Sequence, residues 1–130
     1  MTKSALIVED NPEILKILKS YVSNMGCFKS VITANDGMMA SNKLKNQKFD
    51  IIFMDIEMPK KDGDEVIKEL TNDKRALNRA ENIVVISGSL DKDMLSKLIG
   101  IGVKNFIAKP FDEADFQEKA LKILGIKKAW

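Results

Sequence analysis

The chain has 130 residues, of which 45% are hydrophobic and 31% charged, and its formal net charge is +2. This composition fits one folded domain and excludes a disordered chain, while the small net charge argues against direct nucleic-acid binding. No apolar run reaches 18 residues, so no membrane insertion is expected. The single cysteine, Cys27, excludes an internal disulfide and suits a reducing, cytoplasmic location. The absence of histidine excludes Ser-His-Asp triads and HExxH zinc sites.

Short apolar runs alternate along the chain with segments of helical period. The runs predict five strands, at residues 5–8, 31–34, 51–54, 82–86 and 105–108. A helix follows each strand; the first is capped by Asn11, has Pro12 at its first position and ends at Gly26, and the last ends at Gly125. Strict alternation and continuous apolar strands predict a (βα)₅ fold, a doubly wound, flavodoxin-like five-stranded parallel sheet with helices on both faces.

Polar residues follow four of the five predicted strands. Glu9 and Asp10 come after the first strand, Asp55 after the third, Ser87 after the fourth and Lys109 after the fifth. Because ligands bind at the carboxyl ends of the strands in such sheets, we expect these side chains to converge on one crevice.

This set of side chains has its own chemical meaning. Three neighbouring carboxylates repel each other, and Lys109 supplies only one positive charge, so a divalent cation with oxygen ligands, most simply Mg²⁺, is expected. Mg²⁺ commonly keeps water and phosphate oxygens as its other ligands, and a hydroxyl with a lysine suits phosphate oxygens. The residues therefore predict phosphoryl transfer, with Asp55 as the nucleophile because it stands alone at its strand end.

Four motifs occur in order on this pattern, spread over residues 6–111. They are LIVEDN at 6–11, MDIEMP at 54–59 with Asp62-Gly63 following, ISG at 86–88 and FIAKPF at 106–111. With these motifs the chain resembles the response-regulator receiver domains, of the kind found as the single-domain chemotaxis regulator.

The resemblance implies a role for each residue of the crevice. Asp55 would accept a phosphoryl group from a phosphohistidine on a sensor histidine kinase or a histidine phosphotransfer protein. Asp10, Asp55 and the main-chain carbonyl of Glu57 would bind Mg²⁺, and Glu9 would act mainly through a bound water. The signalling receiver would not be an enzyme beyond its own phosphorylation and autodephosphorylation.

The resemblance also implies a switch. Ser87 would bond a phosphoryl oxygen, Lys109 would pair with the phosphoryl charge, and Phe106 would move inward with Ser87. The Lys109-Pro110 peptide would be cis. The surface of the fourth helix, fifth strand and fifth helix would then bind an unknown output protein, and residues 1–130 would form a single receiver domain with no output domain.

The sequence departs from the family pattern inside the second helix. Ser41 stands where an apolar residue is usual, and we expect Met38 and Met39 to fill the gap.

Glu57 and Ser89 add polar groups at the rim of the predicted crevice. They are expected to tune access of water to the phosphoryl group.

Two alternatives remain open. The first is a Mg²⁺-dependent phosphohydrolase with Asp55 as nucleophile, although such enzymes carry an aspartate where this chain has Glu57 and use a cap for which this chain has no room. The second is a receiver-like scaffold that works without phosphorylation. A substrate-turnover assay separates the enzyme from the signalling domain.

Overall fold

A computed structural model describes residues 2–58 and 60–126, and these form one sheet between two layers of helices. The strands are β1 (Lys3–Val8), β2 (Phe28–Ala34), β3 (Ile51–Asp55), β4 (Ile83–Ser87) and β5 (Asn105–Ala108). The helices are α1 (Pro12–Asn24), α2 (Gly37–Asn46), α3 (Gly63–Asn72), α4 (Lys92–Gly100) and α5 (Glu113–Leu124). All strand pairs are parallel, in the order β2-β1-β3-β4-β5, which confirms the predicted fold class.

The sheet is buried on both faces because its strands carry apolar side chains in both directions. On one face, Leu18 and Val22 of α1 pack with Phe116 and Ala120 of α5. Helices α2, α3 and α4 cover the other face through a second apolar cluster. No helix of the described ranges has the length and apolar content needed to span a membrane.

The parallel register brings the strand ends to one level. Val8 is paired with Ala34 on one side and Met54 on the other, so the residues after β1 lie beside the end of β3. Asp55 is paired with Ile86. The loops that follow β1, β3 and β4 therefore open on the same edge of the sheet.

Four of the five predicted strands have different boundaries in the structure. β1 begins at Lys3 rather than at residue 5, and β3 extends to Asp55. β2 begins at Phe28 rather than at residue 31, because Lys29 and Ser30 of this edge strand interrupt the apolar run by which the strand was predicted. β4 runs from Ile83 to Ser87, and Asn82 belongs to a short 3₁₀ helix that precedes it.

The predicted cap of α1 is confirmed. The Asn11 side chain accepts hydrogen bonds from the amides of Glu13 (2.9 Å) and Ile14 (3.2 Å), and Pro12 occupies the first turn. Asp62 likewise precedes α3, as the sequence predicts, although its side chain makes no capping hydrogen bond. These starts fix where the loops of the site end and the helices begin.

The expected packing around Ser41 is wrong. Met38 and Met39 are 50% and 38% exposed, so they do not fill the space beside this residue. Ser41 is buried, and its hydroxyl accepts a hydrogen bond from Lys61 Nζ at 3.2 Å. The helical phase of α2 turns both methionines outward, and a lysine stem from the neighbouring loop takes the place that they were expected to fill.

Candidate functional site

Three carboxylates meet at the carboxyl ends of β1 and β3. Glu9 and Asp55 are buried, and Asp10 is exposed at the mouth of the crevice. Each offers an oxygen, and these oxygens all lie within 4.8 Å of one another. The sequence prediction that these residues converge is confirmed, and their spacing is short enough for one ion to be shared.

Lys109 reaches two of these carboxylates from the end of β5. Its Nζ lies 3.5 Å from Glu9 Oε1 and 3.5 Å from Asp55 Oδ2, with about a quarter of the lysine side chain exposed. One ammonium group is therefore divided between two carboxylates, and Asp10 forms no ion pair with any described residue.

Glu9 is the carboxylate that this charge imbalance affects most. Its Oε2 atom is buried without a hydrogen-bond partner among the described residues. The pKa of Glu9 is raised from 4.5 to about 8, mainly because the carboxyl group is buried. The Asp55 carboxyl and the charge of Asp10 raise the pKa further, whereas the charge of Lys109 lowers it. A buried carboxylate without compensation favours its protonated form, so this group is poised for a cation or a proton.

The donor set fits a hard divalent cation. Carboxylate oxygens are the protein ligands that Mg²⁺ prefers, and Glu9, which has an orphaned oxygen, is one of the three carboxylates. The exposed position of Asp10 leaves the crevice open on one side, as a cation that keeps water ligands requires. The residues present therefore match the metal predicted from the sequence.

Ser87 ends β4 beside Lys109. Its carbonyl accepts the Lys109 amide at 3.0 Å, and its hydroxyl accepts the Ser89 amide at 3.2 Å. Ser87 is buried, whereas Gly88 is exposed and lines the crevice. A Cβ atom at Gly88 would lie 3.6 Å from Lys109 Cβ, which is an ordinary contact, so the space beside the lysine stem would also accept an alanine.

The rim of the crevice is polar. The Glu57 amide donates to Asp55 Oδ1 at 3.2 Å, and the exposed Glu57 carboxylate accepts a hydrogen bond from the Ser89 hydroxyl. The two rim residues singled out from the sequence therefore touch each other across the opening. The cavity beneath them has a volume of about 320 Å³ and is lined by acidic and small residues of the four loops, together with Ile14 and Lys109.

Gly63 has a positional role that the sequence did not reveal. A Cβ atom there would lie 2.5 Å from the Asp55 carbonyl oxygen, and the Gly63 amide donates to the Ile56 carbonyl at 2.8 Å. The start of α3 thus lies directly against the backbone of the nucleophile candidate. In the sequence, Asp62-Gly63 is an ordinary pair for the start of a helix. The close approach of Gly63 to the Asp55 carbonyl is therefore visible only in the fold.

The predicted switch aromatic lies at the edge of the sheet. Phe106 is half-buried and packs against the apolar cluster under α2 to α4, and Lys119 donates a hydrogen bond to its carbonyl. The Lys109-Pro110 peptide is cis, as the resemblance implies.

Comparisons with known proteins identify the family of the chain. The family model described as response regulator receiver domain matches residues 5–121. Two curated relatives are the transcriptional regulatory protein MalR of Bacillus subtilis, 34% identical over 88% of this chain and 47% of its own, and the response regulator GtcR of Aneurinibacillus migulanus, 35% identical over 86% of this chain and 43% of its own. The chain thus spans less than half the length of these relatives.

One solved structure extends the comparison to three dimensions. It is the CheX–CheY–BeF₃–Mg²⁺ complex of Borrelia burgdorferi, matched with a TM-score of 0.83 and 30% identity over 98% of this chain and 92% of that one. Family model and curated relatives agree on the receiver family, and the structural match agrees with the (βα)₅ sheet. The chain belongs to the response regulator receiver domains of two-component signalling systems.

Proposed function

We propose that this receiver domain carries its signal as a phosphoryl group on Asp55. The observation that supports this most strongly is the position of Asp55, buried at the end of β3 with Lys109 Nζ 3.5 Å from its Oδ2 and two more carboxylates beside it. In the proposed step, an oxygen of Asp55 forms a bond to the phosphorus of a phosphohistidine as the P–N bond breaks. The electron pair of that bond returns to the imidazole nitrogen of the partner protein.

The proposed partners follow from this chemistry. A sensor histidine kinase or a histidine phosphotransfer protein supplies the phosphohistidine, since this chain has no histidine of its own. The crevice opens at the strand ends, where a partner side chain reaches Asp55 without crossing the apolar core. The output protein is recognised by the surface of α4, β5 and α5.

The acidic residues hold the metal in this proposal. Asp10, Asp55 and the main-chain carbonyl of Glu57 would be the ligands, and Glu9 would act through a bound water. When bound, Mg²⁺ offsets the negative charge gathered at the site during transfer. The chain's own contribution is to hold Asp55 in place, through the Glu57 amide and Lys109.

Lys109 and Ser87 connect phosphorylation to the surface. The phosphoryl group draws Lys109 away from its shared position between Glu9 and Asp55, and the Ser87 hydroxyl becomes a donor to a phosphoryl oxygen. Ser87 ends β4, and Phe106 lies on the neighbouring strand β5. In the proposed switch, the aromatic ring turns inward as the serine moves toward the phosphoryl group. The output surface then changes shape by a shift between two arrangements.

The phosphoryl group leaves by hydrolysis, in which water attacks phosphorus and the bond to the Asp55 oxygen breaks. Glu57 and Ser89 stand in contact at the opening through which this water passes. We predict that Glu57→Ala changes the rate of autodephosphorylation. An unchanged rate, measured by the decay of the phosphorylated chain, removes this residue from the account of phosphoryl lifetime.

Intact-mass analysis after incubation with acetyl phosphate tests the proposal, with beryllofluoride binding as a second probe. We expect one phosphoryl adduct that requires Mg²⁺ and is absent in Asp55→Asn. The proposal is contradicted if neither the adduct nor the Mg²⁺-dependent beryllofluoride complex forms. Continuous turnover of an added phosphate ester would instead favour the phosphohydrolase alternative.

A further inference from the structure

Two consecutive lysines in the loop after β3 attach that loop to α2. Lys60 Nζ lies 3.3 Å from Asp36 Oδ2, at the N-cap of α2. Lys61 Nζ donates to the buried Ser41 hydroxyl at 3.2 Å and pairs with Glu69 of α3. The loop thus has two charged anchors on the helices that flank it.

The backbone comes equally close at this point. A Cβ atom at Gly37, the first residue of α2, would lie 1.9 Å from the Lys61 carbonyl oxygen, so only glycine permits this approach. Lys60 adopts φ of 69°, the left-handed region that a lysine rarely occupies. A non-glycine residue stays in this region when its surroundings hold it there, and the anchors on α2 are such surroundings.

The same loop follows Asp55 directly and carries Glu57, whose main-chain carbonyl is a proposed ligand. It closes on itself through the Gly63 amide, which donates to the Ile56 carbonyl at 2.8 Å. Within this closed loop, Glu57 follows Asp55 by two residues and is joined to it through the 3.2 Å amide contact. Glu57 and Lys61 therefore both lie in the segment whose two ends this hydrogen bond joins.

Lys61 is the more deeply placed of the two anchors. Its side chain is 17% exposed, against 68% for Lys60, and its acceptor Ser41 is buried inside the α2–α3 layer. Glu69 stays ionised as the partner of this anchor, because Lys61 first and Lys45 second hold its pKa below the ordinary value. A charge-assisted hydrogen bond at a buried serine fixes position better than an exposed ion pair.

We propose that Lys61, held by Ser41 and Glu69, is a positioning residue for the metal site, setting the divalent-cation affinity without touching the ion. This inference rests on the proposed function, because it takes the Glu57 carbonyl as a ligand. Ser41, which replaces the usual apolar residue, thus has a role in this proposal, because its hydroxyl accepts the hydrogen bond from Lys61 that holds the loop.

Calorimetric titration of Mg²⁺ into the metal-free chain tests the proposal. Lys61→Met keeps the apolar stem and removes the anchor, and we expect its Kd for Mg²⁺ to rise about three- to tenfold. Lys45→Met is the matched control, since Lys45 also pairs with Glu69 (3.1 Å) but is 59% exposed and lies on α2, outside the loop. We expect this control to change the Kd by less than about twofold. Lys61→Arg, which retains a donor, should restore most of the affinity.

Amide hydrogen exchange provides a readout independent of the metal. In Lys61→Met without Mg²⁺, the Gly63 amide should exchange faster than in Lys45→Met, measured at equal global stability. Equal Kd values for Lys61→Met and Lys45→Met overturn the proposal. If Lys61→Met does not fold, Ser41→Ala decides: a raised Kd supports the proposal, and an unchanged Kd overturns it. Absence of Mg²⁺ binding to the wild-type chain, or equal binding to Asp55→Asn, overturns the proposed metal site itself and this inference with it.

Discussion

Asn78 is the buried polar residue on which the packing of the loops away from the crevice depends. It is 3% exposed, and its side-chain oxygen accepts the Phe49 amide at 2.8 Å. Its side-chain amide donates to the carbonyls of Leu44 and Gln47, both at 2.8 Å. One side chain thus joins the loop before β4 to the end of α2 and the start of β3.

Asn78→Ala removes these three hydrogen bonds together. Three bonds at about 1 kcal/mol each give a loss near 3 kcal/mol, and the orphaned Phe49 amide can raise it, since a buried unsatisfied group costs about 1–3 kcal/mol. A loss of this size lowers the midpoint of thermal unfolding by roughly 10 °C in a domain of this length. Asn78→Asp should cost more, because it sets a carboxylate oxygen against two carbonyl oxygens.

Urea unfolding followed by far-ultraviolet circular dichroism measures this loss directly. Asn46→Ala is the control, because the Asn46 side chain makes one exposed hydrogen bond, to the Asn42 carbonyl at 2.8 Å, and we expect a loss below about 0.5 kcal/mol. A loss below about 1 kcal/mol in Asn78→Ala, with an unchanged slope against urea, would refute the reasoning, because it would mean that water replaces the lost bonds.

Two further predictions concern the loops of the site. Gly37→Ala sets a methyl group against the Lys61 backbone and should lower stability by at least about 2 kcal/mol, whereas Gly88→Ala, with its nearest contact at 3.6 Å, should stay within about 0.5 kcal/mol in the same urea assay. The pKa of Glu9 is raised from 4.5 to about 8 in the folded chain. The stability contributed by the protonated carboxyl is therefore fully present below pH 4.5, and it is lost as the pH rises from there through 8. Without metal, wild-type stability should therefore fall over this range by a few kcal/mol more than that of Glu9→Gln, and parallel pH profiles would contradict this.

The sequence was sufficient for the fold and for the meeting of the acidic residues. Buried parallel strands have continuous apolar runs, and a polar residue directly after such a run must lie at the carboxyl edge of the sheet. Glu9, Asp10 and Asp55 meet there because chain order and register place them together, and no long-range contact had to be guessed.

Other features needed the three-dimensional arrangement. Ser41 and Lys61 are 20 residues apart, and nothing in the local pattern of either indicates the other. The outward position of Met38 depends on the helical phase of α2, whose apolar period is weak. Asn78 looks like an ordinary loop residue, since its buried position depends on where two distant loops pack. Such contacts follow from tertiary packing rather than from period or motif.

The central claim is that Asp55 receives the phosphoryl group. The chain would be phosphorylated with acetyl phosphate and Mg²⁺ and reduced with borohydride, which converts an aspartyl phosphate to homoserine. Peptide mapping by mass spectrometry then locates the converted residue. We expect conversion in the peptide that contains Asp55, dependent on Mg²⁺ and absent without the phosphodonor. Conversion at Asp10 or at another carboxylate, with Asp55 intact, would contradict it.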